Sequence, residues 1–211
     1  MSFSVTFILI AITVAFSLPG VNDPARLSKW VFNPYVVRVR KEWYRVVSHA
    51  FVHAGWAHLL VNMFVLFFFG HSVENYLRAV YGHAGVVYFV LLYLGGILFA
   101  TLPAFKKHSD NPRYNSVGAS GAVAAVLFAH ILLKPTEMLY LYFAIPLPSF
   151  VFGIGYLWYE AYMDKRGGDR IAHDAHFWGA IFGVAFMIAL DFNNLLMFFN
   201  QVSYWIQNLF S

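Results

Sequence analysis

The chain contains no cysteine, which excludes disulfides, thiol catalysis and cysteine-held metals. Charge is scarce too: 11% of residues are charged against 60% hydrophobic, too little to clothe an ordinary soluble domain. No basic run exceeds a few residues, so the formal charge of +4 suits a membrane surface and not nucleic acid. The opening segment, SFSVTFILIAITVAFSLPG, has neither a basic leader nor a small-x-small cleavage site and is expected to be a span, not a signal peptide. No internal repeat stands out.

What the chain has is apolar runs long enough to cross a bilayer. Six spans are expected, at about 3–20, 56–76, 84–105, 115–133, 137–162 and 171–191, all helical because open sheet edges cannot be satisfied in lipid. The fold class is therefore an all-α polytopic membrane protein. Its core is expected over 1–191. Residues 21–55 form a long first loop in which tryptophan, tyrosine, valine and phenylalanine alternate with arginine and lysine, a mixture at home at the headgroup level. MDKRGGDR, 163–170, reads as a mobile hairpin between the last two spans, and 192–211 as a tail helix on the membrane surface.

Polar residues inside spans are expensive and face the bundle interior. The second span opens with His58 and Asn62 on one helical face, the fourth with Gly118, Ala119, Ser120 and Gly121, and the sixth with His173, Asp174 and His176 ahead of Gly179 and Gly183. Even-numbered spans cross in the same direction, so their beginnings share one face and one depth. Ser120 is expected about five residues inside its span and His176 about five inside its own, roughly 7 Å deep in each case. Gly179 and Gly183 form a small-xxx-small surface for close helix approach, and at ~100° per residue they centre nearer His176 than His173. His176 is therefore the histidine expected to meet Ser120, whose hydroxyl needs a neighbouring base to become a nucleophile. His49 and His53 are expected to be hydrogen-bonding posts for the first loop, His173 and Asp174 rim or access residues, and Glu74 with Arg78 an ion pair.

Taken in chain order, HAFVHAGWAHLLVNM, GASG and AHDAHFWGAIFG resemble the three signatures of the rhomboid intramembrane serine proteases, over about residues 40–190. The resemblance implies a six-helix rhomboid-like bundle and a Ser120–His176 dyad. It also implies an oxyanion site near His58, Asn62 and the backbone of Ala119 and Ser120, with no metal or other cofactor. Its first loop would be the family's membrane-embedded hairpin, anchored by Arg45 and His53, although here Tyr44 and not tryptophan precedes Arg45. The fifth span and the 163–170 turn would form a moving gate, and the substrates would be transmembrane helices of other proteins, with no obligate partner subunit. Two other readings compete: a metal-dependent membrane enzyme or transporter pooling His49, His53 and His58 with His173, Asp174 and His176, and a non-catalytic binder of membrane proteins. Orientation sets two arguments against each other. Of fourteen Lys and Arg residues, only Arg78 and Lys134 lie away from the dyad's side, so a literal positive-inside count turns the dyad to the cytoplasm. The resemblance implies the reverse, a plasma (inner) membrane protein whose site opens outside the cytoplasm.

Overall fold

The computed structural model describes residues 4–141, 144–168 and 171–209. The chain is an all-α membrane bundle. Helix α1 (Val5–Val21) leads into the first loop, which holds a short 3-10 turn at Pro24–Leu27, α2 (Pro34–Arg40) and α3 (Arg45–Ser48). A second long helix follows as α4 (Trp56–Val65) and α5 (His71–Tyr81), joined by a π turn at Leu66–Gly70, and then α6 (His83–His108). Next come α7 (Ser120–Leu133), a hairpin of β1 (Met138–Leu141) and β2 (Ile145–Pro148), α8 (Ser149–Arg166), α9 (His173–Leu190) and α10 (Asn193–Leu209). Among the described residues Trp56–Tyr81, His83–His108 and His173–Leu190 are long and apolar enough to cross a membrane, and Val5–Val21 and Ser120–Leu133 are shorter apolar helices. Leu60, Val61, Leu102 and Ile154 are exposed, as lipid-facing side chains are.

Helix α7 is the centre of the bundle. Every residue from Gly121 to Leu132 is buried, the mark of a helix surrounded on all sides. Helix α9 reaches it through glycine: a Cβ on Gly179 would stand 2.1 Å from Gly121 O, and one on Gly183 2.0 Å from Ala125 O. Helix α6 packs on another side, where a Cβ on Gly96 would stand 2.8 Å from the Ala125 Cβ. Small residues thus let three backbones meet, which fixes the mutual register of α6, α7 and α9.

Three expectations need correction. The apolar run 137–162 is not one helix: its first part pairs as an antiparallel hairpin, Met138 opposite Pro148, and the helix starts only at Ser149. Pro146 and Pro148 explain the break, because proline has no N–H to continue a helix and restricts the residue before it. With Glu160, Asp164, Lys165 and Arg166 in its eighteen residues, α8 is also more polar than a typical span. The turn expected over 163–170 begins only at Gly167, and residues 169 and 170 of it lie outside the described residues. Finally, residues 115–119 are not helical, so Ser120 is the first residue of α7 instead of the fifth in its span.

Helix α10 lies against one end of the bundle. Asn194 Nδ2 donates to Met187 O near the end of α9, Gln201 Nε2 to Leu133 O at the end of α7, and Trp205 meets Phe150 at the start of α8. The first loop occupies the other end. There Phe32 and Ser116 exchange backbone hydrogen bonds at 2.9 Å, and Asn33 Nδ2 donates to Pro112 O and Asn115 Oδ1, stitching the loop to the segment that precedes Ser120.

Candidate active site

The turn before α7 is built to stop a helix and start another. Gly118 has φ +110°, a conformation that side-chain-bearing residues adopt only under strain. Its N–H donates to His49 O at 2.9 Å, and the next N–H, that of Ala119, donates to His53 Nε2 at 3.2 Å. His53 Nδ1 lies 3.1 Å from Ser17 Oγ on α1, and His49 Nδ1 lies 3.1 Å from Arg45 O. Neither ring is in a spanning segment. Burial holds His49 down to about 4, and burial with the nearby charges of His58 and His49 holds His53 down to about 3. Both are therefore neutral posts at pH 7, and His53 needs its bare Nε2 to accept from Ala119. That bond corrects one expectation: the Ala119 N–H is already spoken for. The backbone donors left over are those of Ser120, Gly121 and Ala122, the first-turn groups that have no acceptor inside a helix and carry its positive dipole end.

His58 enters from α4. Its ring lies against Gly118, where an added Cβ would stand 2.4 Å from His58 Cε1 and 2.8 Å from its Nε2. Asn62, one turn on and buried, donates one amide hydrogen to His58 O at 2.8 Å and keeps a second. His176 enters from α9, three residues past its start. The Gly179–Gly121 approach seats that turn on the first turn of α7, and Ala175 O would lie 3.4 Å from a Cβ on Gly121. His58 and His176 are close enough for their charges to interact. Ser120, His58 and His176 are all half-buried. Among the described residues no hydrogen bond joins Ser120 to His176. Behind Ser120 is a cavity of about 20 Å³, lined by Thr101, Tyr114, Ser116 and Ala175 among others, with room for about one water.

Helix α8 supplies a residue that sequence reasoning missed. Glu160 is buried, its Oε1 3.1 Å from His176 Nδ1 and its Oε2 hydrogen-bonded to His173 Nδ1. His173 and Asp174, expected at the rim, are also buried, and Asp174 Oδ1 accepts the Ala175 N–H. The signal for Glu160 was available, since an ionisable residue inside a span is a candidate by default. The expected span of 137–162, however, leaves Glu160 only two residues from its end and gives it no role. The pooled metal reading does not assemble: His49 and His53 spend ring nitrogens on the loop, and Asp174 Oδ1 is engaged by the Ala175 N–H. Among the described residues the three-ligand group is Glu160, His173 and His176, with ligand atoms within 4.8 Å of one another.

In the first loop, Arg45 is buried and donates to Glu42 Oε2 at 2.6 Å, Ser28 O at 2.8 Å and Val31 O at 3.0 Å, drawing three parts of the loop together. Arg26 pairs with Asp23 and Arg38 with Asp110.

Residues 40–191, well over half of the chain, match the family model described as Rhomboid domain. RHOMBOID-like protein 12, mitochondrial, of Arabidopsis thaliana is 30% identical over 150 residues, 64% of this chain and 43% of that protein. Rhomboid-related protein 1 of Caenorhabditis elegans is 28% identical over 177 residues, 78% of this chain and 44% of that one. Presenilin-associated rhomboid-like protein, mitochondrial, of Bos taurus is 33% identical over 140 residues, 64% of this chain and 34% of that one. In each case the matched stretch is less than half of the relative's length.

Proposed function

The chain belongs to the rhomboid family, and from that premise we propose that it is an intramembrane serine endopeptidase that cuts the transmembrane helices of other membrane proteins. The observation that carries this reading is the seating of the His176 turn on the Ser120 turn through Gly179 and Gly121, with His58 laid over Gly118 beside them. A structural serine would need none of that company.

In the proposed reaction His176 Nε2 takes the Ser120 hydroxyl proton as Oγ attacks the substrate carbonyl carbon. The carbonyl oxygen becomes an oxyanion next to the N-terminal N–H groups of α7, the remaining amide hydrogen of Asn62 and the His58 ring. Donors fixed in a site of low dielectric stabilise such a charge more than water does. The C–N bond then breaks, the amine leaves with the proton held by His176, and an acyl-enzyme on Ser120 remains. Water gives its proton to His176 and its hydroxyl to the acyl carbon, the bond from that carbon to Ser120 Oγ breaks, and His176 returns the proton to Oγ as the carboxylic product leaves. The site's place at a helix start, near the loop-covered end, gives that water a way in.

Substrates would be single helices that unwind locally at small or helix-breaking residues to expose a carbonyl, and no partner subunit is required. We further propose that the termini face the cytoplasm and the site opens on the opposite side. Arg45 is buried against loop carbonyls, which supports reading the first-loop cations as anchors of that loop instead of topology signals. Two of the three relatives above are mitochondrial by name, so the plasma-membrane placement draws nothing from them.

The test is incubation of detergent-purified protein with a panel of single-span substrates in metal chelator, reading products by mass. Cleavage is expected in wild type, with a loss of roughly a thousandfold or more in Ser120→Ala and in His176→Ala. No cleavage by wild type, or cleavage that survives Ser120→Ala or dies in chelator, overturns the proposal.

A further inference from the structure

Building on the reading of His176 as the base, we propose that Glu160 is a positioning residue for it: the carboxylate accepts the Nδ1–H of His176 and so fixes the tautomer whose Nε2 can take the Ser120 proton. A neutral imidazole ring carries one proton on one of two nitrogens, and only the bare nitrogen is a base. Left alone, His176 would divide its population between the two forms. The 3.1 Å contact from Nδ1 to Glu160 Oε1 removes that freedom, because an ionised carboxylate only accepts and the ring nitrogen facing it must donate.

The second oxygen makes the arrangement rigid. Oε2 takes the Nδ1–H of His173, one turn back on α9, so the carboxylate is gripped by two rings of the same helix and cannot turn away from His176. Tyr156, one turn earlier on α8, lies beside the same carboxylate. When His176 accepts the serine proton it becomes an imidazolium, and a buried carboxylate already in contact stabilises that charge without rearrangement. Because Glu160 is on α8 and His176 on α9, the base is prepared only while α8 sits against α9. Displacement of α8 to admit a substrate helix would release the base, and its return would restore it.

Among the described residues, the same three side chains form the one group of three that could ligate an ion. Two features favour direct hydrogen bonds. His173 and Glu160 stand closer than two ligands of one tetrahedral ion, roughly 3.3 Å apart for metal–ligand bonds of about 2 Å. Both carboxylate oxygens are also already satisfied.

The experiment has a spectroscopic arm and a kinetic arm. In protein labelled with ¹⁵N-histidine at neutral pH, with the His176 signal identified by its loss in His176→Asn, the wild-type ring should carry its proton on Nδ1. Glu160→Met, similar in length but without an acceptor, should lose that preference. In cleavage of a single-span substrate, Glu160→Met and Glu160→Gln should lower kcat by about tenfold to a hundredfold with KM unchanged, and Glu160→Asp should restore part of it. A wild-type proton on Nε2, or kcat within twofold of wild type in folded Glu160→Met, overturns the proposal. So does stoichiometric zinc retained by the purified protein with activity lost to chelator, which would make the cluster a metal site. If wild type shows the Nδ1–H signal and the variant loses it, yet wild type cleaves nothing, the protease reading fails while the Glu160–His176 bond stands.

Discussion

Glu74 and Glu160 are the same residue type, buried almost completely in the same apolar bundle, yet they are satisfied in opposite ways. Glu74, on α5, accepts from the Val5 and Thr6 backbone N–H groups, from the Ser4 and Thr6 hydroxyls, and from Arg78. It caps the start of α1 from a distant helix and supplies a negative charge where the α1 dipole favours one. None of those donors has a proton to trade near neutral pH. Glu160 is held by two imidazoles, each with a second nitrogen that can gain or lose a proton. Burial and charge are alike in the two carboxylates; the donors differ, and the positioning role proposed for Glu160 rests on that difference.

The largest effect is expected from Glu74→Ala. It leaves two N–H groups, two hydroxyls and a guanidinium without their acceptor and should cost about 3 kcal/mol of stability, read as a lowered melting temperature in detergent. The folded fraction should keep its kcat. A normal melting temperature, or a kcat loss larger than the loss of folded protein, would erase the distinction drawn between the two carboxylates.

Asn62→Ala comes next in size. An oxyanion donor acts mainly in the transition state, so kcat should drop about a hundredfold with KM little changed. A raised KM at constant kcat would remove Asn62 from that role. His173→Ala should do less, a few-fold in kcat, because Glu160 keeps its bond to His176 while losing its second grip. Complete loss in a folded His173→Ala protein would make His173, and not His176, the base.

A graded effect, spread over a pH range, concerns the neutral posts of the first loop. His49 and His53 have folded values of about 4 and about 3, against 6.5 when unfolded, so between pH 6.5 and about 4 the unfolded chain binds protons that the folded chain refuses. The stability they contribute is complete above pH 6.5 and falls as the pH drops, by on the order of 1 kcal/mol per unit for each ring. The melting temperature should therefore decline from pH 7 to pH 5, and less steeply in His53→Gln. An unchanged melting temperature across that range would show that these rings are not held neutral.

Much of the architecture could be read in advance because hydropathy and glycine spacing have direct physical causes. The runs at 84–105 and 171–191 correspond to α6 and α9, and the Gly179–Gly183 pair does face the Ser120 helix, since only a missing Cβ permits that approach. The hairpin at Met138–Pro148 was hidden because a short apolar run looks alike as strand or helix, and Pro146 and Pro148 were the only local objection. The other end of the same span had a chemical consequence: closing it at 162 put Glu160 two residues from the edge, whereas α8 runs on to Arg166 and holds Glu160 inside. The engagement of Ala119 by His53 was beyond sequence reasoning, since it joins residues 66 apart through a turn whose shape depends on Gly118.

Activation of Ser120 by His176 is tested by covalent labelling with a fluorophosphonate in chelator, with the adduct located by peptide mass. The account predicts one adduct per chain, on Ser120, formed by wild type and absent in His176→Ala protein that melts normally. An unlabelled wild-type Ser120 in folded protein, or equal labelling after removal of His176, would contradict it.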